Sequence, residues 1–86
     1  MISIGEKIRE VRIARNLTQK ELGNVLGLNE EVIINYENNK IKLDLDRLIE
    51  IIYTLDMNSS DIASLIEIDQ KHYKNLRDYE NNKRDV

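Results

Sequence analysis

Thr18-Gln19-Lys20-Glu21-Leu22-Gly23-Asn24-Val25-Leu26-Gly27-Leu28-Asn29-Glu30-Glu31-Val32-Ile33-Ile34-Asn35-Tyr36-Glu37 is the stretch that decides the fold. Thr18 and Glu21 form a capping box, in which each side chain satisfies an orphan backbone N–H at a helix start. Leu22, Val25 and Leu26 then recur at helical spacing and predict one apolar face. Gly27 suits the left-handed conformation that ends a helix at low steric cost. Leu28 is an apolar plug and Asn29 a second N-cap. Val32, Ile33 and Tyr36 give the second helix its buried side.

Two short helices joined by a tight glycine-containing turn make a helix-turn-helix motif. Toward the N-terminus, Ser3 and Glu6 are spaced as another capping box, which predicts a helix from Ile4 to Arg15 with Ile4, Ile8 and Val11 inward. Asn16 fits a left-handed position after that helix, and Leu17 bridges into Thr18. Toward the C-terminus, Asn38-Asn39-Lys40-Ile41-Lys42 reads as a loop, with Asn39 suited to positive φ. Asp44 caps a helix from Leu45 to Leu55, whose inner face is Leu45, Leu48, Ile51, Ile52 and Leu55. After a loop at residues 56–60, Ser59 or Ser60 caps a last helix over 61–79, and Glu80 to Val86 frays. No strand-like alternation appears, so the chain reads as all-α.

Composition narrows the function classes. The chain has 86 residues, which allows one domain with a short appendage. There is no Cys, hence no disulfide framework, thiol nucleophile or thiolate metal site. No apolar run approaches a membrane span, and Met1 leads into an amphipathic pattern without a signal peptide, so a cytoplasmic location and no membrane partner are expected. Thirteen basic against sixteen acidic side chains give a net charge of −3, which argues against strong nonspecific binding to a polyanion.

With these helices in order, the chain resembles the phage repressor and Cro-like (XRE-family) helix-turn-helix regulators. The resemblance runs from about Ile4 to Ile62. It rests on Ile8, Arg12, Leu17-Thr18-Gln19, Glu21-Leu22, Gly27-Leu28, Ile33, Glu37, Leu45, Leu48, Leu55 and Ile62. It implies a compact five-helix, lambda-repressor-like DNA-binding domain, with the motif at helices 2 and 3 and an extended final helix. Arg12 and Glu37 then match a semi-buried structural ion pair. Gln19, Asn38, Lys40 and Lys42 match phosphate contacts, with Arg47 a weaker candidate. Base reading falls to Glu30, Glu31, Ile34 and Asn35. Glu can accept from cytosine N4, and Asn can pair with adenine. The acidic pair has a plainer role available, because carboxylates in a first turn complement the helix dipole. The chain departs from the family at Gly23 (usually Ala), Asn39 (usually Gly), Leu43 (usually Pro) and Asp56 (often Gly).

Other constellations carry less. His72 is the single histidine and, without Cys or a second His, makes no recognisable zinc site. Asp44 with Asp46, or Asp69 with Asp78, are carboxylate pairs with nothing to raise a pKa. Tyr36, Tyr53, Tyr73 and Tyr79 lie mostly on apolar faces and read as core or interface aromatics. No enzyme activity, cofactor or metal is expected.

The resulting expectation is a helix-turn-helix domain over residues 1–66, followed by a C-terminal helix extension and polar tail over 67–86. The extension carries Tyr73, Leu76 and Tyr79, which read as a helix face folded back on its own domain, as the candidate homodimer contact, or as part of a disordered tail. The expected function is a sequence-specific transcriptional regulator, a repressor, acting on a double-stranded DNA operator. The alternative is a protein-interaction module on the same fold. It would be an antirepressor or regulator-binding subunit that presents the acidic helix 3 face to a second regulatory protein.

Overall fold

The computed structural model describes residues 3–67 of the chain. Within it, α1 spans Ile4–Ala14, α2 Gln19–Leu26, α3 Glu30–Glu37 and α4 Leu45–Thr54. A fifth helical segment, α5, covers residues 59–67. Among the described residues there is no strand. Of the extension 67–86, everything after Glu67, including Tyr73, Leu76, Tyr79, His72 and the Asp69/Asp78 pair, lies outside the described residues.

Local chemistry sets each boundary. Ser3 Oγ accepts the Glu6 N–H at 3.2 Å and starts α1. The Thr18–Glu21 box closes in both directions, each bond 3.0 Å, and starts α2. Gly27 ends α2 in the left-handed region at φ 70, while Asn16 and Asn39 take the same region at φ 59 and 58. Asp56 joins them at φ 49, which explains how a residue other than Gly serves there. Asp44 Oδ1 accepts the Arg47 N–H at 2.8 Å and starts α4.

Three expectations need correction. The cap of α5 is Asn58, not Ser59 or Ser60. Its Oδ1 accepts the Asp61 N–H at 2.8 Å, and Asp61 Oδ2 accepts the Asn58 N–H at 3.3 Å. A reciprocal pair of this kind satisfies two orphan donors, which a single serine cannot do. Asn29 has the extended backbone of an N-cap but makes no side-chain cap bond. Leu45 and Val25 are exposed (70% and 66%) rather than inward. Leu45 is the first residue of α4, at the open end of a groove. Val25 lies about 110° around α2 from the centre of the face made by Leu22, Gly23 and Leu26.

The core is one cluster of Ile8, Val11, Leu22, Ile33, Ile51, Leu55, Met57 and Leu65, each buried. It draws on every helix, because each contributes only one narrow apolar stripe. Gly23 brings the turn close to α2: a Cβ there would sit 2.7 Å from the Leu28 carbonyl oxygen. At Gly5, α1 meets the end of α3, and a Cβ would contact the Tyr36 carbonyl and lie 2.6 Å from that of Glu37.

Candidate nucleic-acid interface

The outward side of α3 forms a continuous stripe. Glu30 and Glu31 are exposed in its first turn, Ile34 and Asn35 are half-buried one turn on, and Asn38 is exposed at its end. By the helix period Ile33 lies buried on the far side, whereas Glu37, seven residues after Glu30, is buried at the flank of the stripe, where Arg12 and Gln19 meet it. Lys40 and Lys42 follow as exposed residues of the loop after α3. The loop is pinned from behind: the Lys40 N–H donates to the Asn35 carbonyl at 2.9 Å. Asn39 donates from Nδ2 to Ser3 Oγ at 2.8 Å. The helix period thus puts Glu30, Glu31, Ile34, Asn35 and Asn38 on one side of α3, with Lys40 and Lys42 exposed in the loop that follows.

Gln19 is held elsewhere. It stands at the first position of α2, and its Nε2 donates to Glu37 Oε1 at 3.1 Å. Glu37 is itself the acceptor of a two-pronged guanidinium. Arg12 Nε donates to Oε2 at 2.6 Å, and Arg12 Nη2 donates to Oε1 at 3.0 Å. The third prong, Arg12 Nη1, donates to the Leu17 carbonyl at 2.8 Å. The side chains of Arg12 and Glu37 are 9% and 1% exposed, so the pair expected from the sequence is buried. Parallel charge-assisted bonds are strong and fix both planes. Together these bonds join the start of α2 to the last turn of α3, on either side of the turn.

Two further ties escape a reading by motif. Arg15 reaches across to the end of α4, donating from Nε to the Leu55 carbonyl at 2.8 Å and from Nη2 to that of Asp56 at 2.7 Å. Lys7 is buried with its Nζ 3.3 Å from Asp61 Oδ1 and 3.7 Å from Glu10 Oε1. A signal for Lys7 existed, because it stands four residues before Val11 on the inward face. Arg15, four residues after Val11, falls low on the same face, but its partners are carbonyl groups, which no side-chain spacing reveals. Arg47 is engaged locally, with Nη1 2.9 Å from Glu50 Oε2.

Beside the loop lies a groove of about 880 Å³, lined by Ile4, Tyr36, Leu45, Leu48, Ile62 and Ile66 among others. No group of His, Asp and Glu that could hold a metal ion occurs among the described residues. No helix among them is long and apolar enough to cross a membrane.

Against known proteins, the family model described as Helix-turn-helix matches residues 8–62, which is more than half of the chain. Neither the curated proteins nor the solved structures yield a match. The matched span takes in α2, the Gly27 turn and α3 with the helices that brace them. The chain belongs to the XRE/Cro-like helix-turn-helix family of DNA-binding regulators.

Proposed function

We propose that the protein is a sequence-specific DNA-binding repressor that inserts α3 into the major groove of an operator. Glu30, Glu31, Ile34 and Asn35 meet base edges, while Gln19, Asn38, Lys40 and Lys42 hold phosphates on either side. The observation that carries this reading is the side of α3 shared by Glu30, Glu31, Ile34, Asn35 and Asn38, followed within four residues by the exposed Lys40 and Lys42. A helix with exposed polar side chains on one edge, followed at once by two exposed lysines, suits a groove flanked by phosphates. The domain of residues 1–66 would bind as a cytoplasmic homodimer on half-sites about one helical turn apart. Tyr73, Leu76 and Tyr79 in the 67–86 extension would make the dimer contact.

Selection of duplexes from a random pool, with solution mass measured on the same sample, tests this. A recurrent palindromic site bound by a dimer, with affinity falling steeply as salt rises, is expected. A promoter carrying the selected site should be silenced by the protein. Failure to enrich any duplex at low salt overturns the reading.

A second reading is favoured by one feature, the two exposed carboxylates at the start of α3. In it, Glu30 and Glu31 face a basic surface of another regulator. The variant Glu30→Gln with Glu31→Gln separates the two. It strengthens general DNA binding if α3 enters the groove, by removing repulsion from phosphates. It weakens capture of the protein partner if the carboxylates are the contact.

A further inference from the structure

The buried ion pair of Arg12 and Glu37 has a third member, Gln19. Glu37 has two carboxylate oxygens, and Arg12 occupies both of them. Oε1 nevertheless accepts a second donor, the Gln19 amide, at 3.1 Å. Gln19 is half-buried at the first turn of α2. A glutamine side chain free in solvent samples many rotamers, and ordering it to meet a ligand carries an entropic cost. Here that ordering is already present, because one amide hydrogen is bound to a carboxylate that a bidentate guanidinium holds in place. Gln19 retains its second amide hydrogen and its carbonyl oxygen. Arg12 fixes the same corner a second time through the Leu17 carbonyl, one residue before the α2 cap.

We propose that Glu37, oriented by Arg12, is a positioning residue for phosphate binding. It aims the Gln19 amide and sets the start of α2 against α3, so the two phosphate-contacting ends of the motif approach DNA in fixed register. This rests on the DNA-binding reading above. The pair therefore acts through Gln19, and Gln19 contributes to affinity only while Glu37 holds it.

A double-mutant cycle tests the coupling. Gln19→Ala is made in the natural chain and in Arg12→Met/Glu37→Leu, where an apolar pair replaces the buried ions; such replacement is often neutral for stability. The probe is a random-sequence duplex at low salt, so no operator need be known. In the natural chain, Gln19→Ala lowers affinity about threefold to tenfold, the range of one hydrogen bond. In the apolar-pair background, it changes affinity less than about twofold. An equal loss in both backgrounds overturns the proposal and leaves the ion pair as scaffolding. Absence of duplex binding by the natural chain overturns the DNA reading instead, and the two failures are distinct.

A second measurement keeps the test decisive if the apolar pair does not fold. In the natural full-length chain without DNA, NMR should show the Gln19 side-chain amide ordered like the backbone. It should also exchange with solvent more slowly than the Asn24 amide, which belongs to an exposed residue. A Gln19 amide as mobile as that of Asn24 overturns the proposal.

Discussion

Asn39 Oδ1 accepts the backbone N–H of Gly5 at 3.2 Å, so the residue that closes α3 also caps α1, thirty-four positions earlier. The same amide group donates to Ser3 Oγ. The left-handed backbone of Asn39 aims its side chain at the first turn of α1, which a glycine could not cap. Asn39→Gly keeps the conformation and loses both bonds, and should cost about 1 kcal/mol. Asn39→Ala adds backbone strain of roughly 1–2 kcal/mol. Urea unfolding should rank the natural chain above Asn39→Gly and that above Asn39→Ala. A glycine variant as stable as the natural chain would show the cap to be inert.

Gly5 and Gly27 should respond oppositely to substitution. A Cβ at Gly5 meets two backbone carbonyls at the end of α3, neither of which can rotate away. Gly5→Ala should therefore destabilise by about 1–3 kcal/mol, despite alanine's better helix propensity. At Gly27 a Cβ meets nothing within 4 Å, and only φ matters. Gly27→Asn should stay within roughly 1 kcal/mol, since Asn tolerates that region. Thermal unfolding of the two variants checks the contrast, and a reversed order would contradict it.

Lys40 and Lys42 are exposed and enter no ion pair within 4 Å among the described residues. If they hold phosphates, Lys40→Ala and Lys42→Ala should each weaken binding uniformly across sequences. Each should also lower the slope of log affinity against log salt by about 1. Titration of one duplex at several salt concentrations measures both. A change in sequence preference with an unchanged slope would instead place these lysines at bases.

Glu21 is held below the ordinary carboxylate value of 4.5, chiefly by the Thr18 backbone N–H and then by the Thr18 hydroxyl, against slight desolvation. A carboxylate with a depressed folded-state pKa adds stability above its unfolded pKa, and that contribution is lost as pH falls through the folded value. The melting temperature of the natural chain should exceed that of Glu21→Ala at neutral pH. The gap should narrow as pH falls below 4.5 and through the lowered folded-state value. A gap that is constant down to roughly pH 2 would mean the cap does not depend on charge.

The helix order was legible because each start and stop has a local chemical cause. Thr18–Glu21, Asp44, Gly27, Asn16 and Asn39 all behave in the structure as their types and spacings predict. Arg12–Glu37 was legible only through family resemblance, since twenty-five residues separate the partners. What periodicity misses is orientation at short range. α2 has eight residues, so one stripe leaves Val25 outside although it matches the apolar spacing. Met57 lies in a polar-looking loop yet is buried as a member of the core cluster. The Asn58–Asp61 cap was hidden by two serines that satisfy the same preference. Gln19 was legible as a surface residue but not as a partner of Glu37, which depends on how α2 and α3 cross. Base reading by Glu30 and Asn35 depends on a duplex, which neither sequence nor fold contains.

The polar ties that close the domain share an origin. Ser3, Gly5, Lys7, Arg12 and Arg15 all lie on or beside α1, and their partners extend from Leu17 to Asp61. During synthesis α1 is made before every one of those partners. Its two buried charges find their cross-helix counterparts at different points, Arg12 at Glu37 and Lys7 only at Asp61, and burying Lys7 before Asp61 exists would strand an ion without that counterpart. Complete docking of α1 therefore requires synthesis to have passed Asp61, near the far end of the described residues.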